Sequence, residues 1–419
     1  MIETLRSAWK IKELRFRITF TLLMLVVFRL GSHVPVPGVD PSLIADLFQG
    51  EGNLFGLFNV FAGGALENFT IFAMGIMPYI NASIIMQLLT VVIPKFEELA
   101  KEGQEGQKKL QQIVRYGTIV LALIQASGMT VGIFRTAVLE PGLVTYATII
   151  ITLTAGTAFL MWLGELITDK GIGNGISIII FGGIVSLFGP GALQMFQLTR
   201  VGELHFFTVL FTALIILGLI VCIIALEEGQ RRIPVQYAKR VVGRKMYGGQ
   251  STHIPLKVNQ SGVIPVIFAS ALLMFPGTIA QFVNHPVTNA IARFFTPGAA
   301  IHTLLYVMLI LFFAYFYTAI QFDPIKISND MKKNGGFIPG LRPGRPTAEF
   351  LARVSSRLTL AGAIFLALIA TVPVILQNLF QINVIFGGVG MIIVVGVVLE
   401  TMKQIESHMM MRNYQGFMK

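Results

Sequence analysis

Cysteine is almost missing from this chain: Cys222 stands alone among 419 residues. A single thiol excludes an intrachain disulfide and a cysteine-based metal site. Charge is scarce too. Only 13% of residues are Asp, Glu, Lys or Arg, 54% are hydrophobic, and the mean hydropathy is +0.73. Ordinary soluble domains carry about 25% charged residues, so this composition excludes that class. Catalytic signatures are missing as well: there is no HExxH, no GxSxG, no GxxxxGK[ST] and no metal-spaced Cys/His cluster. The nearest thing to a nucleotide-binding glycine motif is Gly171–Gly175 (GIGNG), with no strand before it. Its glycines suit a tight helix–turn–helix connection, which needs backbone conformations open to glycine. No catalytic residue, no cofactor and no metal is expected.

What is present is a series of apolar runs. They lie near 18–30, 69–92, 113–134, 144–164, 175–195, 205–226, 261–281, 303–321, 357–377 and 384–403. Each is close to the ~20 residues that cross a hydrocarbon core. The intervening loops alternate in charge. Of the 32 Lys and Arg, 28 fall on one side, and the other side holds only Arg29, Arg135, Arg200 and Arg293. Positive charge stays cytoplasmic during insertion, so the asymmetry sets span number and orientation together and puts both termini in the cytoplasm. The basic segment Met1–Arg17 runs into the first span without a small-residue cleavage site, so that span is expected to stay in the membrane.

Five runs precede the loop near Thr199–Leu204 and five follow it. An odd number per half makes the second half start from the opposite face, the arrangement of an inverted repeat with its working site between halves. The halves are expected at 1–200 and 201–419. The expected fold is therefore an all-α integral membrane protein of ten transmembrane helices. Ion-coupled transporters carry ionisable groups at mid-membrane. Here Arg29 and Glu165 sit at span ends, and the polar groups of the spans are mainly amides such as Gln87, Gln125 and Asn259. These amides serve either helix–helix hydrogen bonding or a polar seam between movable helices.

Two features exceed a plain bundle. Asn53–Leu66 (NLFGLFNVFAGGAL) is apolar, too short to span, and broken by Gly56, Gly63 and Gly64. It reads either as an interfacial amphipathic helix or as a re-entrant element folding into a central cavity. The loops Glu227–Gln260 and Phe322–Ser356 are long and basic, with apolar residues between the charges (Ile233, Val235, Tyr237; Phe337, Ile338, Leu341). They look like ordered protrusions. Their charge sets topology and meets anionic lipid, or it docks an acidic partner such as ribosomal RNA or a motor protein. Ile76, Ile80, Ile180, Ile267 and Ile393 either pack ordinarily or form a hydrophobic constriction that closes a pore by dewetting.

The stretches FRLGSHVPVPGVD (28–40), FNVFAGGAL (58–66), GIMPYINASIIMQLLTVVIP (75–94), FLMWLGELITDKGIGNGISIIIF (159–181), EEGQRRIPVQYAKR (227–240), QSTHIPLKVNQSGVIPVIFAS (250–270) and GFIPGLRPGRPTAEFL (336–351) make the chain recognisable. It closely resembles the bacterial SecY family, the channel-forming subunit of the Sec protein translocase. The resemblance implies a gated protein-conducting channel, with two halves closing around an hourglass pore. It implies a pore ring at Ile76, Ile80, Ile180, Ile267, Ala271 and Ile393, where the small Ala271 leaves ring tightness open. The plug carries over onto Asn53, Leu54, Phe55, Phe58, Val60, Phe61, Gly63, Gly64 and Leu66. A lateral gate would form where spans two and three face seven and eight, with Gln87, Gln125 and Asn259 on its walls. Docking falls on Arg240, Arg244, Lys245 and Arg342. The implied partners are the small subunits SecE and SecG, the SecA motor ATPase, the ribosome, secretory preproteins with their signal peptides, and anionic lipids, at the bacterial cytoplasmic membrane. Rival readings are an inverted-repeat transporter, a membrane-embedded enzyme and a poreless scaffold. They predict a buried coupling carboxylate, a catalytic constellation and no plug-like segment, respectively.

Overall fold

In the lipid interior every backbone amide must find an internal partner, which leaves helices as the economical way to cross. The computed structural model follows that rule. It describes residues 2–40, 43–44, 54–202, 205–237, 240–242, 245–247, 251–282, 299–380 and 388–416. The helices are α1 (Ile2–Lys10), α2 (Lys12–Gly31), α3 (Leu54–Ala62), α4 (Met77–Val92), α5 (Pro94–Lys101), α6 (Gln104–Gly128), α7 (Leu143–Lys170), α8 (Gly175–Ser186), α9 (Phe188–Val201), α10 (Phe206–Glu228), α11 (Ile264–Phe282), α12 (Ala300–Gln321), α13 (Pro324–Lys333), α14 (Arg345–Phe380) and α15 (Gly388–Gly416). Among the described residues seven helical stretches are long and apolar enough to cross a membrane, or eight if the bent pair α4–α5 counts as one. The protein is a multi-pass membrane protein. The runs expected near 18–30 and 261–281 fall on α2 and α11.

One expected span is only partly helical. The run near 69–92 becomes a helix at Met77, and residues 63–76 are turns. Phe69 (φ 42°) and Gly75 (φ 55°) leave the helical region. Non-helical backbone at this depth is tolerated because its polar groups are satisfied within the protein. Val36 N–H donates to Phe69 O (3.0 Å) and Ile71 N–H to Val34 O (3.0 Å), while Thr70 N–H donates to Ala65 O (3.0 Å). At the other end of α4, Ile93 is extended (φ −104°, ψ 115°) because it precedes Pro94, and α5 turns away by 100°. The expected run near 175–195 is split at Leu187 into α8 and α9.

The GIGNG turn joins α7 to α8 as expected. Gly173 has φ +83°, and Asn174 caps α8 by accepting from Ile176 N–H (3.1 Å) and Ser177 N–H (3.2 Å). The turn also gathers distant helices: Ile172 N–H donates to Thr21 Oγ1 (3.0 Å), Gly173 N–H to Gln404 Oε1 (2.9 Å), and Arg17 to Gly171 O (3.2 Å). The span-end Glu165 pairs with Arg115 of α6 at 2.7 Å. Apolar side chains such as Phe206, Phe207, Leu210, Leu214 and Leu217 on α10 are exposed, as lipid contact permits.

To the helical frame the structure adds strands. They are β1 (Gln230–Tyr237), β2 (Arg240–Val242), β3 (Lys245–Tyr247), β4 (Ser251–Lys257) and β5 (Gly336–Phe337). β1 pairs antiparallel with β4, from Gln230↔Lys257 to Gln236↔Ser251, and with β5 on its other edge. The two long loops thus share one sheet. β1 alternates as a half-buried strand should, with Ile233 and Val235 buried between exposed neighbours. These residues, with Leu256, Met331, Ile338, Leu351 and Val354, form an apolar core separate from that of the bundle. The expectation of ordered protrusions holds, and their joining into one body is new.

Candidate functional site

Six expected ring residues come from four helices far apart in sequence. Ile76 caps the start of α4, and Ile80 follows one turn on. Ile180 lies on α8, Ile267 and Ala271 on α11, and Ile393 on α15. The spacing of four in the pairs 76/80 and 267/271 puts each pair on one helix face. All six are buried, between 0% and 7% exposed, in a single apolar cluster. α11 packs against both α4 and α15, and α15 packs against α8. The helices that carry these six residues therefore form a continuous chain of neighbours.

Beside them lies the short α3, packed against α8. Of the expected plug residues, Asn53 lies outside the described residues. Leu54 and Phe55 open α3, Phe58 and Val60 are half-buried, and Phe61 (3%) and Leu66 (1%) are buried in the same apolar cluster as those six residues. α3 ends in a Schellman turn: Gly64 N–H donates to Asn59 O (2.9 Å) and Gly63 N–H to Val60 O (3.2 Å). Gly63 (φ +66°) and Gly64 (φ +83°) supply the left-handed backbone that this turn requires. Asn59 ties α3 to the following segment, donating to Glu67 Oε2 (3.1 Å) and accepting from Glu67 N–H (3.2 Å).

The expected gate amides separate in role. Gln87 on α4 accepts a hydrogen bond from the Tyr317 hydroxyl of α12 and donates to Ser83 Oγ (3.2 Å). It therefore links α4 to α12. Gln125 is half-buried near the end of α6, and the π-helical turn that follows, Met129–Ile133, packs against α11. Asn259 does not reach across. It sits in the turn before α11 and donates to Glu227 Oε1 at the end of α10 (2.7 Å) and to Gly262 O (3.0 Å). Its own carbonyl accepts from Ser261 Oγ (3.2 Å). It ties the end of α10 to the root of α11.

Of the expected docking residues, Arg240 and Lys245 stand on the paired strands β2 and β3, and Arg244 lies outside the described residues. Arg342 is exposed in the loop between β5 and α14. Its carbonyl is held by Thr347 Oγ1 (2.8 Å), so the loop is fixed while the side chain points away from the core. Sequence reasoning missed Tyr317, Glu227 and the partners of Arg29. A Tyr and a Glu at span ends look ordinary until the neighbouring helix is known. Among the described residues there is no group of three or more His, Cys, Asp or Glu able to hold a metal ion.

Comparison with known proteins gives a consistent result. The family model described as SecY matches residues 70–402. A protein translocase subunit SecY from Halalkalibacterium halodurans is 50% identical over the full length of both chains. The SecY of Escherichia coli (strain K12) is 44% identical, covering 97% of this chain and 94% of the relative. Among solved structures, a protein-conducting channel aligns with a TM-score of 0.67 at 20% identity, covering 94% of this chain and 92% of the other. Sec61 in a canine ribosome–channel complex from the endoplasmic reticulum aligns with a TM-score of 0.63 at 19% identity, with the same coverage.

Proposed function

The chain belongs to the SecY family and is a gated protein-conducting channel of the membrane; from that premise we propose how its residues conduct and seal. Ten transmembrane helices form two halves, 1–200 and 201–419, related by inverted topology. Both termini face the cytoplasm of a bacterial cell. Ile76, Ile80, Ile180, Ile267, Ala271 and Ile393 form the constriction. Their burial in one apolar cluster, drawn from four helices, is the observation that carries this reading.

The physical logic follows from the load. An extended polypeptide is polar and varied, so a tight binding site would stall it. A collar of apolar side chains yields around any residue and still excludes ions by dewetting. Leu54–Ala62 with Gly63–Leu66 acts as the plug that adds a second barrier when idle. The seam between α4 and the pair α11–α12 is the lateral gate. A segment exposed there to lipid leaves if it is apolar enough, at ~0.3–0.6 kcal/mol per favourable residue at the helix centre. Direction comes from partners on the cytoplasmic cap. Arg240, Arg244, Lys245 and Arg342 dock the SecA motor or the ribosome, the latter through phosphate contacts. The small subunits SecE and SecG complete the complex. Secretory preproteins with signal peptides are the substrates, and anionic lipid meets the basic loops.

Conductance across planar bilayers tests this. The intact chain and a deletion of Gly56–Gly64 are compared, each with its small partner subunits. A silent intact channel and a leaky deletion are expected. If both are silent and folded, polar substitutions at Ile80 and Ile180 decide whether the ring seals alone or the plug assignment is wrong.

A further inference from the structure

Arg29 is one of the few basic residues that break the charge asymmetry of this chain. It sits in the last turn of α2, and among the described residues it pairs with no carboxylate. Its guanidinium instead donates to Gly63 O at 2.8 Å. That carbonyl directly follows α3. The Schellman turn uses Asn59 O and Val60 O internally, which leaves Gly63 O to take an outside donor. A cation at this end of a helix also meets the negative pole of its dipole.

Two further contacts converge on the same residue. Ser186 Oγ of α8 lies 3.5 Å from Gly63 O. Gly63 and Gly183 of α8 meet backbone to backbone: a Cβ on Gly63 would lie 2.6 Å from Gly183 Cα, and one on Gly183 would lie 3.2 Å from Gly63 Cα. No side chain fits between them. Three elements, α2, α3 and α8, are thus pinned at one peptide.

We infer that Arg29 is a positioning residue that clasps the foot of α3 to the N-terminal half and biases the channel towards its sealed state. The inference rests on reading Leu54–Ala62 as the plug. α3 pivots on Gly63–Gly64, and the Arg29 bond holds that pivot while the helix is seated. Charge-assisted hydrogen bonds are stronger than neutral ones, so one side chain commands a measurable share of the equilibrium. A basic residue on the external side is then accounted for by the bond it makes.

The test uses the full complex with R29M and R29K. Hydrogen exchange of residues 54–66 is expected to quicken about tenfold in R29M, the ratio that ~1.4 kcal/mol commands, with α7 unchanged. Resting ion conductance rises, and precursors with weakened signal sequences pass more readily. R29K, which keeps a cationic donor, restores most of the protection. Unchanged exchange at 54–66 in folded R29M overturns the inference. If R29M loosens α7 as well, R29Q decides: a local rise at 54–66 supports the clasp, and none overturns it. The Gly56–Gly64 deletion separates the two readings. If it is silent, and stays silent with polar substitutions at Ile80 and Ile180, while R29M still loosens 54–66, the clasp stands and the plug assignment falls.

Discussion

The hydroxyl of Tyr317 donates to the side-chain carbonyl of Gln87, and this one bond joins α12 of the C-terminal part to α4 of the N-terminal part. The Tyr317 ring is itself held edge-on against Phe268 of α11 at 5.3 Å. A polar pair across an apolar seam gives the contact between α4 and α12 a definite geometry. Replacing Tyr317 by Phe keeps the ring contacts and removes the bond, at ~0.5–1.5 kcal/mol. That matches the insertion energy of roughly two or three apolar residues. Segments slightly too polar to leave sideways in the unmodified protein are therefore expected to integrate in Tyr317→Phe. A graded series of test segments scored for membrane integration would show the shift, and an unmoved threshold would sink the role given to this pair.

The proposed ring makes a prediction about water. Ile80 and Ile180 are buried at 4% and 1%. Asn at either position should wet the proposed constriction, which depends on dewetting. In a background lacking Gly56–Gly64, Ile80→Asn and Ile180→Asn should each raise ion conductance severalfold over that deletion alone. Equal currents would mean that these isoleucines only pack.

Arg342 is exposed, and its loop is pinned through its carbonyl rather than its side chain. Arg342→Glu should leave thermal stability unchanged and weaken docking by ~2 kcal/mol or more, as reversal of an interface charge does. Motor-dependent export should fall by about tenfold or more. Export at the normal rate would refute the docking assignment.

Asn259→Ala strands the Glu227 carboxylate, whose hydrogen-bond donor it is. Glu227 is half-buried, and losing a hydrogen bond to such a charged group costs ~1–3 kcal/mol. A lower thermal midpoint in detergent is expected, with the root of α11 loosened. If the midpoint holds, the Glu227–Asn259 bond contributes nothing to anchoring α11.

The sequence by itself determined the membrane class and the rough placing of the spans, because hydropathy and basic-loop asymmetry are summed over many residues and survive local error. It also marked 53–66 as anomalous on length and glycine content, and the GIGNG turn as a connector. Motif likeness then supplied the family. What the tertiary structure decided are relations between residues far apart in the chain. Tyr317 is 230 residues from Gln87, and Arg29 reaches across 34 residues to Gly63. A hydrogen bond depends on where two groups meet to within a few tenths of an ångström, and no one-dimensional pattern carries that. The same reason explains why residues 69–76 read as the start of a span yet fold as turns. Their apolar composition is that of a helix, but Val34 and Val36, on a distant segment, satisfy their backbone and so let the chain leave the helix inside the protein.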